Sequence, residues 1–153
     1  MKLFEKGAQP ESEDGDGGTP LWVAAERGHE VVVKLLLEKS AQLESEDRYG
    51  WTPLWVAAAE GHETVVKLLL QKGAQLQSKS RYGRAPLWEA TERGQEAVVE
   101  LLLKKAAQLE CKDGDGRTPL WVAAERGHEA VVKSLYMELL LGKGRQLNSK
   151  AQS

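Results

Sequence analysis

The sequence predicts an all-α solenoid, a row of helix-turn-helix units joined by short β-turn or hairpin fingers. Three observations predict it. Thr-Pro-Leu-Trp occurs at Thr19–Trp22 and Thr52–Trp55, returns as Ala-Pro-Leu-Trp at Ala85–Trp88, and appears again at Thr118–Trp121, always 33 residues on. The apolar residues Leu21, Val23, Ala24, Ala25, Val32, Val33, Leu35, Leu36, Leu37 and Leu43 recur unchanged in the second copy, whereas the nine positions that differ are almost all polar or surface-type. Glycines and prolines fall at the same places in successive copies. A repeat of this length is a single supersecondary unit that buries its apolar face only by stacking on its neighbours. An unchanging apolar frame under a varying polar skin is what stacking requires, because each frame residue meets its own equivalents next door.

The spacing divides the chain into a partial N-terminal repeat at 1–18 and full repeats at 19–51, 52–84, 85–117 and 118–150, in one continuous elongated domain. Within each repeat, Thr19, Thr52 and Thr118 are N-cap residues followed by Pro20, Pro53 and Pro119 at the first helical position, where a missing N–H costs nothing. A short first helix follows, with Leu21, Ala24 and Ala25 forming a narrow face of small residues that permits close helix approach. Gly28, Gly61, Gly94 and Gly127 end these helices. The second helix opens at His-Glu or Gln-Glu, where Glu30, Glu63, Glu96 and Glu129 complement the positive end of the helix dipole. Lys39 and Lys72 are expected in its last turn, and Gly73 supplies a left-handed stop that Ser40 and Ala106 must achieve with a side chain, at a cost of ~1 kcal/mol. The connecting stretches carry Tyr-Gly and Asp-Gly pairs suited to tight turns.

Composition narrows the function. A net charge of −2 gives no electrostatic footprint for nucleic acid or an anionic membrane. No apolar run reaches the ~20 residues of a membrane span, and the N-terminal stretch lacks the apolar core of a signal peptide. The one cysteine, Cys111, excludes an intramolecular disulfide framework, so the expectation is a soluble, cytoplasmic chain.

Catalytic and metal signatures fail in detail. His29-Glu30, His62-Glu63 and His128-Glu129 begin like a zinc-protease helix, but Val33, Val66 and Val132 occupy the second histidine position. Asp14-Gly15-Asp16 and Asp113-Gly114-Asp115 start like calcium loops, yet Thr19 and Thr118 stand where the loop glycine is needed. Gly15-x-Gly17 and Gly142-x-Gly144 lack the third glycine of a dinucleotide fingerprint. Cys111 has Lys112 beside it and no histidine in sequence reach to act as a base, which reads as a surface or semi-buried thiol. The expectation is no enzyme, no cofactor and no metal.

With its 33-residue period, Gly-x-Thr-Pro-Leu-x-x-Ala-Ala, the Gly-His pair, Val-Val-x-Leu-Leu-Leu and a late Gly-Ala-x-Leu, the chain resembles the ankyrin-repeat family over roughly residues 2–150. The tetratricopeptide pattern is absent. The resemblance implies paired antiparallel helices with projecting fingers, and protein binding along the fingers and the concave face of the first helices. Tryptophan replaces the family's histidine after Thr-Pro-Leu at Trp22, Trp55, Trp88 and Trp121, wording that looks like ankyrin arrays of filamentous fungi. This tryptophan ladder reads as a packed seam between repeats, since large aromatics at repeat-equivalent positions bury area first; the competing reading is a strip for stacking a ligand.

Repeat three diverges most: Ala85 loses the Thr cap, Thr91 replaces a core alanine, and Gln95 replaces the histidine. Glu89 stands where the other repeats have Val23, Val56 and Val122, on the side of Glu92 and Arg93, which places these three as groove-facing contact candidates; a solvated glutamate in a drifting repeat is the alternative. The finger tips hold the remaining candidates, Arg48-Tyr49 and Arg81-Tyr82, with Trp51 and Arg84 just before the next helix. Arg, Tyr and Trp are enriched among binding hot spots because each joins a large apolar body to a directional polar group. Ordinary turn surface, with Trp51 folded onto its own helix pair, is the competing reading.

At the N-terminus, residues 2–14 align with the back half of a repeat, so the array is expected to begin inside a second helix. At the other end, Leu139–Leu141 and the Gly-Lys-Gly after them align only if residues 134–138 are an insertion lengthening the last helix. Its Leu135, Tyr136, Met137, Leu139, Leu140 and Leu141 are more apolar than a terminal repeat needs. Folding over the last core as a cap is the preferred reading, with a self-associating end through Leu135, Tyr136 and Met137 as the second, and a fragment of a longer array as a third. The functional expectation is a non-catalytic module binding a protein partner of unknown identity. The alternative is a structural, self-associating segment of a larger multidomain protein.

Overall fold

The computed structural model describes residues 17–105, 107 and 109–152. Residues 1–16, which carry the expected partial repeat, and Ala106, with its expected helix stop, lie outside the described residues. Among the described residues eight helices run in order: α1 (Pro20–Arg27), α2 (Glu30–Glu38), α3 (Pro53–Glu60), α4 (Glu63–Gln71), α5 (Pro86–Glu92), α6 (Glu96–Lys104), α7 (Pro119–Arg126) and α8 (Glu129–Gln152). No strand occurs among the described residues; the fingers are turns.

The local chemistry acts where the sequence places it. Thr19, Thr52 and Thr118 accept the N–H of the tryptophan three residues on, and Ala85 starts α5 without that bond. Gly28, Gly61 and Gly127 take the left-handed conformation that closes each first helix, and in repeat three Gly94 does so one residue beyond the C-cap Arg93. Substitution at these glycines meets two obstacles. A Cβ would force φ near +71° to +77° on an ordinary residue, and at Gly28 and Gly61 it would collide with the His62 or Gln95 side chain of the next repeat. Among the described residues Ser40 is the non-glycine residue found at positive φ, at the stop that Gly73 supplies one repeat later.

Packing follows the repeat. α1, α3, α5 and α7 form one row and α2, α4, α6 and α8 a second, each helix touching its partner within the repeat and its equivalent next door. Leu21, Leu54, Leu87 and Leu36, Leu69, Leu102 are fully buried between them. The tryptophans form the seam. Trp22, Trp55 and Trp88 are buried, and each indole Nε1–H donates to the carbonyl 29 residues on, at Trp51 (2.8 Å), Arg84 (2.9 Å) and Arg117 (2.8 Å). A second cross-repeat set lies 36 residues apart: His62 and His128 through Nε2 with the carbonyls of Glu26 and Glu92, and Gln95 Nε2 donating to Ala59. Gln95 therefore does the work of the histidine it replaces, because its amide presents an N–H at the same reach. Thr91 is accommodated in the core by donating its hydroxyl to Leu87 O at 2.7 Å.

α8 corrects the preferred expectation for the C-terminal end. It continues as one helix to Gln152 and leaves Trp121 (47%) and Ala124 exposed, although their equivalents in the first three repeats are buried. Leu135 is buried, whereas Tyr136, Met137, Leu140 and Leu141 face solvent. A helix that runs on along its own axis cannot cover the open face of the last repeat.

Candidate protein-interaction surface

Each of the fingers within the described residues is a turn held by one buried polar side chain. Asp47 Oδ1 accepts the N–H groups of Tyr49 and Trp51, both at 2.9 Å, and Asp113 Oδ1 does the same for Asp115 and Arg117. Ser80 Oγ takes the longer equivalents from Tyr82 and Arg84 at 3.3 and 3.4 Å. All three acceptor residues are buried, which corrects the reading of Asp47 and Ser80 as varying polar skin. A short acceptor two residues before a turn N–H is the signal that could have found them. Burial pushes the Asp113 carboxyl up, but hydrogen bonds from the Arg117 side chain, from the Arg117 and Asp115 backbone, and the Arg117 charge outweigh it and hold it below the usual carboxylate range. Adjacent fingers are tied in register, Arg81 N donating to Tyr49 O and Gly114 N to Tyr82 O, both at 3.0 Å.

The candidate residues fall into two groups. At the tips, Arg48, Tyr49, Arg81 and Tyr82 are exposed. The Arg48 guanidinium lies 5.7 Å from the Tyr49 ring centroid, Tyr49 packs at 4.8 Å on Trp51, and Trp51 stacks on Trp55 at 4.7 Å with planes 3° apart. Trp51 is thus half-buried against Trp55 of α3, the first helix of the repeat that follows its own. Its Nε1 is buried with no hydrogen-bond partner. Arg84 takes the same position one repeat on, with its guanidinium 4.4 Å from the Trp88 ring centroid, and Arg117 lies 5.8 Å from Trp88 and 5.6 Å from Trp121.

The second group is an ionic chain along the first helices. Arg93 bonds Glu89 Oε1 at 3.1 Å and Glu60 at 3.2 Å, Arg84 lies 3.7 Å from Glu89 Oε2, and Arg126 lies 3.9 Å from Glu92. Glu89 is 3% exposed, so it is neither an open groove contact nor a solvated glutamate; Arg84 and Arg93 flank it. Burial raises its pKa against the opposing hydrogen bond from Arg93, Glu92 adds to the rise, and the Arg93 and Arg84 charges oppose it. Cys111 is buried, not semi-exposed, and burial lifts its thiol to about 11, which leaves almost no thiolate near neutrality. Among the described residues no group of three or more His, Cys, Asp or Glu could hold a metal ion.

Residues 1–80 and 76–151 each match the family profile described as ankyrin repeats (3 copies). The chain belongs to the ankyrin-repeat family. Ankyrin repeats are generally protein–protein interaction modules and the family is typically non-catalytic. No curated protein matches this chain. Among the described residues of this ankyrin-repeat chain, no helix is long and apolar enough to cross a membrane.

Proposed function

We propose that the chain is a non-catalytic module that holds a protein partner on its finger tips and along the row of first helices, with Arg48, Tyr49, Arg81 and Tyr82 as the leading contacts and Trp51, Arg84, Glu89, Glu92 and Arg93 shaping the surface beneath. The observation that carries this reading is the pair of exposed Arg-Tyr tips kept in register by the Arg81 N to Tyr49 O bond. Tyrosine offers large contact area with few rotors to freeze, arginine adds a planar fork of donors, and a rigid turn lowers the entropy cost of binding further. The Thr-Pro-Leu-Trp wording supports placing it among arrays of the filamentous-fungal kind, as an intracellular interaction segment.

The test is affinity capture from a lysate, comparing the parent with a variant carrying Arg48, Tyr49, Arg81 and Tyr82 all changed to alanine. A partner held by the parent and lost by the still-folded variant supports the reading; identical capture by both refutes it. One further observation favours a second reading, a self-associating segment. Trp121, Tyr136, Met137, Leu140 and Leu141 are all exposed at the C-terminal end, a concentration of large apolar residues of the kind that marks contact sites.

A further inference from the structure

Residues 14–30 and 113–129 differ at one position only, Gly18 against Arg117. The equivalent residue in every later repeat places a flat side chain against the tryptophan four residues on: Trp51 on Trp55, Arg84 on Trp88, Arg117 beside Trp121. At Gly18 there is no side chain to do so. A cleft of about 310 Å³ opens there, lined by Gly18, Trp22, Glu26, Asp47, Tyr49 and Trp51 among others.

From this we infer that the cleft over Trp22 is a docking slot for an arginine side chain presented by a protein partner. It is the place that Arg84 fills over Trp88 two repeats on. Two of the three filled equivalents hold a guanidinium, which stacks on an indole face and still offers N–H donors at its edge. The charge of the walls agrees. Among the described lining residues, Glu26 and Asp47 contribute two carboxylates and Arg27, 3.9 Å from Glu26, one cation. Tyr49 and Trp51 close the side toward the next finger with aromatic surface, so the alkyl stem of an incoming arginine also finds apolar contact. The slot adjoins the Arg48-Tyr49 tip, so it deepens the interaction reading above and rests on that reading for its biological occupant.

The experiment follows the Trp22 and Trp51 indole N–H resonances of the ¹⁵N-labelled full chain during titration with the tripeptide amide acetyl-Gly-Arg-Gly and with its lysine and phenylalanine counterparts. The expected result is a saturable shift at Trp22 with the arginine peptide, at least about tenfold weaker with lysine, which has a point charge and no flat face to stack. Gly18→Arg fills the slot from within and abolishes the shift while the Trp121 resonance and the far-ultraviolet spectrum stay as in the parent. Gly18→Leu, a second variant that adds no charge, blocks it equally. No saturable shift, a shift undiminished in the folded variants, or a preference for phenylalanine overturns the assignment. The titration needs no partner, so its failure leaves the finger-tip reading standing, and a failed capture experiment leaves the slot standing.

Discussion

At the residue scale, the tryptophan ladder shows how one side chain can serve two repeats. Trp88 is completely buried and its indole N–H is satisfied by Arg117 O of the next repeat, whereas Trp121, at the equivalent place in repeat four, is half-exposed. Replacing Trp88 by phenylalanine removes the donor and leaves a buried carbonyl short of a partner, which is expected to cost about 1–3 kcal/mol. Trp121→Phe is expected to cost well under 1 kcal/mol, since water replaces what is lost. Denaturant midpoints of the two variants at equal slope check this; equal losses would mean that neither the indole hydrogen bond nor the deeper burial sets Trp88 apart from Trp121. Asp47 makes a similar point about position. One oxygen organises two backbone N–H groups, so a buried acid there is a structural part of the finger that presents Tyr49.

At the element scale, α5 is the helix whose cap has been exchanged for apolar packing. In repeat one the Thr19 and Ser45 hydroxyls lie 3.2 Å apart. Repeat three has Ala85 and Cys111 at the corresponding places, in a small buried cluster with Trp88 and Val122. The loss of a hydroxyl at one site is matched by its loss at the other, so the pair is self-consistent. Ala85→Thr alone restores a cap worth about 0.5–2 kcal/mol but sets its hydroxyl beside a thiol. Adding Cys111→Ser is expected to make the gain larger than the sum of the single changes, by about 0.5 kcal/mol or more, in a double-mutant cycle read from thermal or denaturant unfolding. Strict additivity would show that the two positions do not communicate.

At the scale of the whole molecule, the main contacts among the described helices join helices of one repeat or of adjacent repeats, so each repeat relies on its neighbours to cover its apolar faces. α8 leaves Trp121, Ala124 and its own Tyr136, Met137, Leu140 and Leu141 open, and such a surface on a regular array favours contact with a second copy. Sedimentation equilibrium across the micromolar range is expected to show mass rising with concentration, and the double variant Tyr136→Lys, Leu140→Lys to remain monomeric. A parent chain that stays monomeric throughout that range would remove the self-associating reading and leave the module as the function.

The sequence by itself determined the period, the place of each helix, its caps and stops, and the apolar frame, because all of these depend on φ/ψ preferences and on periodicities within one repeat. It also singled out Arg48, Tyr49, Arg81 and Tyr82 as surface residues, since turn tips face solvent wherever the turn lies. Tertiary structure decided what depends on the spacing between repeats. Asp47, Ser80, Asp113 and Glu89 are polar letters, and only the stacking of one finger or helix on the next buries them. The bonds of Gln95 and the tryptophans reach 36 and 29 residues along the chain, distances that no local pattern encodes. The open slot at Gly18 is visible only against its filled equivalents. Local propensity builds each unit, and the relation between neighbouring units sets which of its atoms meet water.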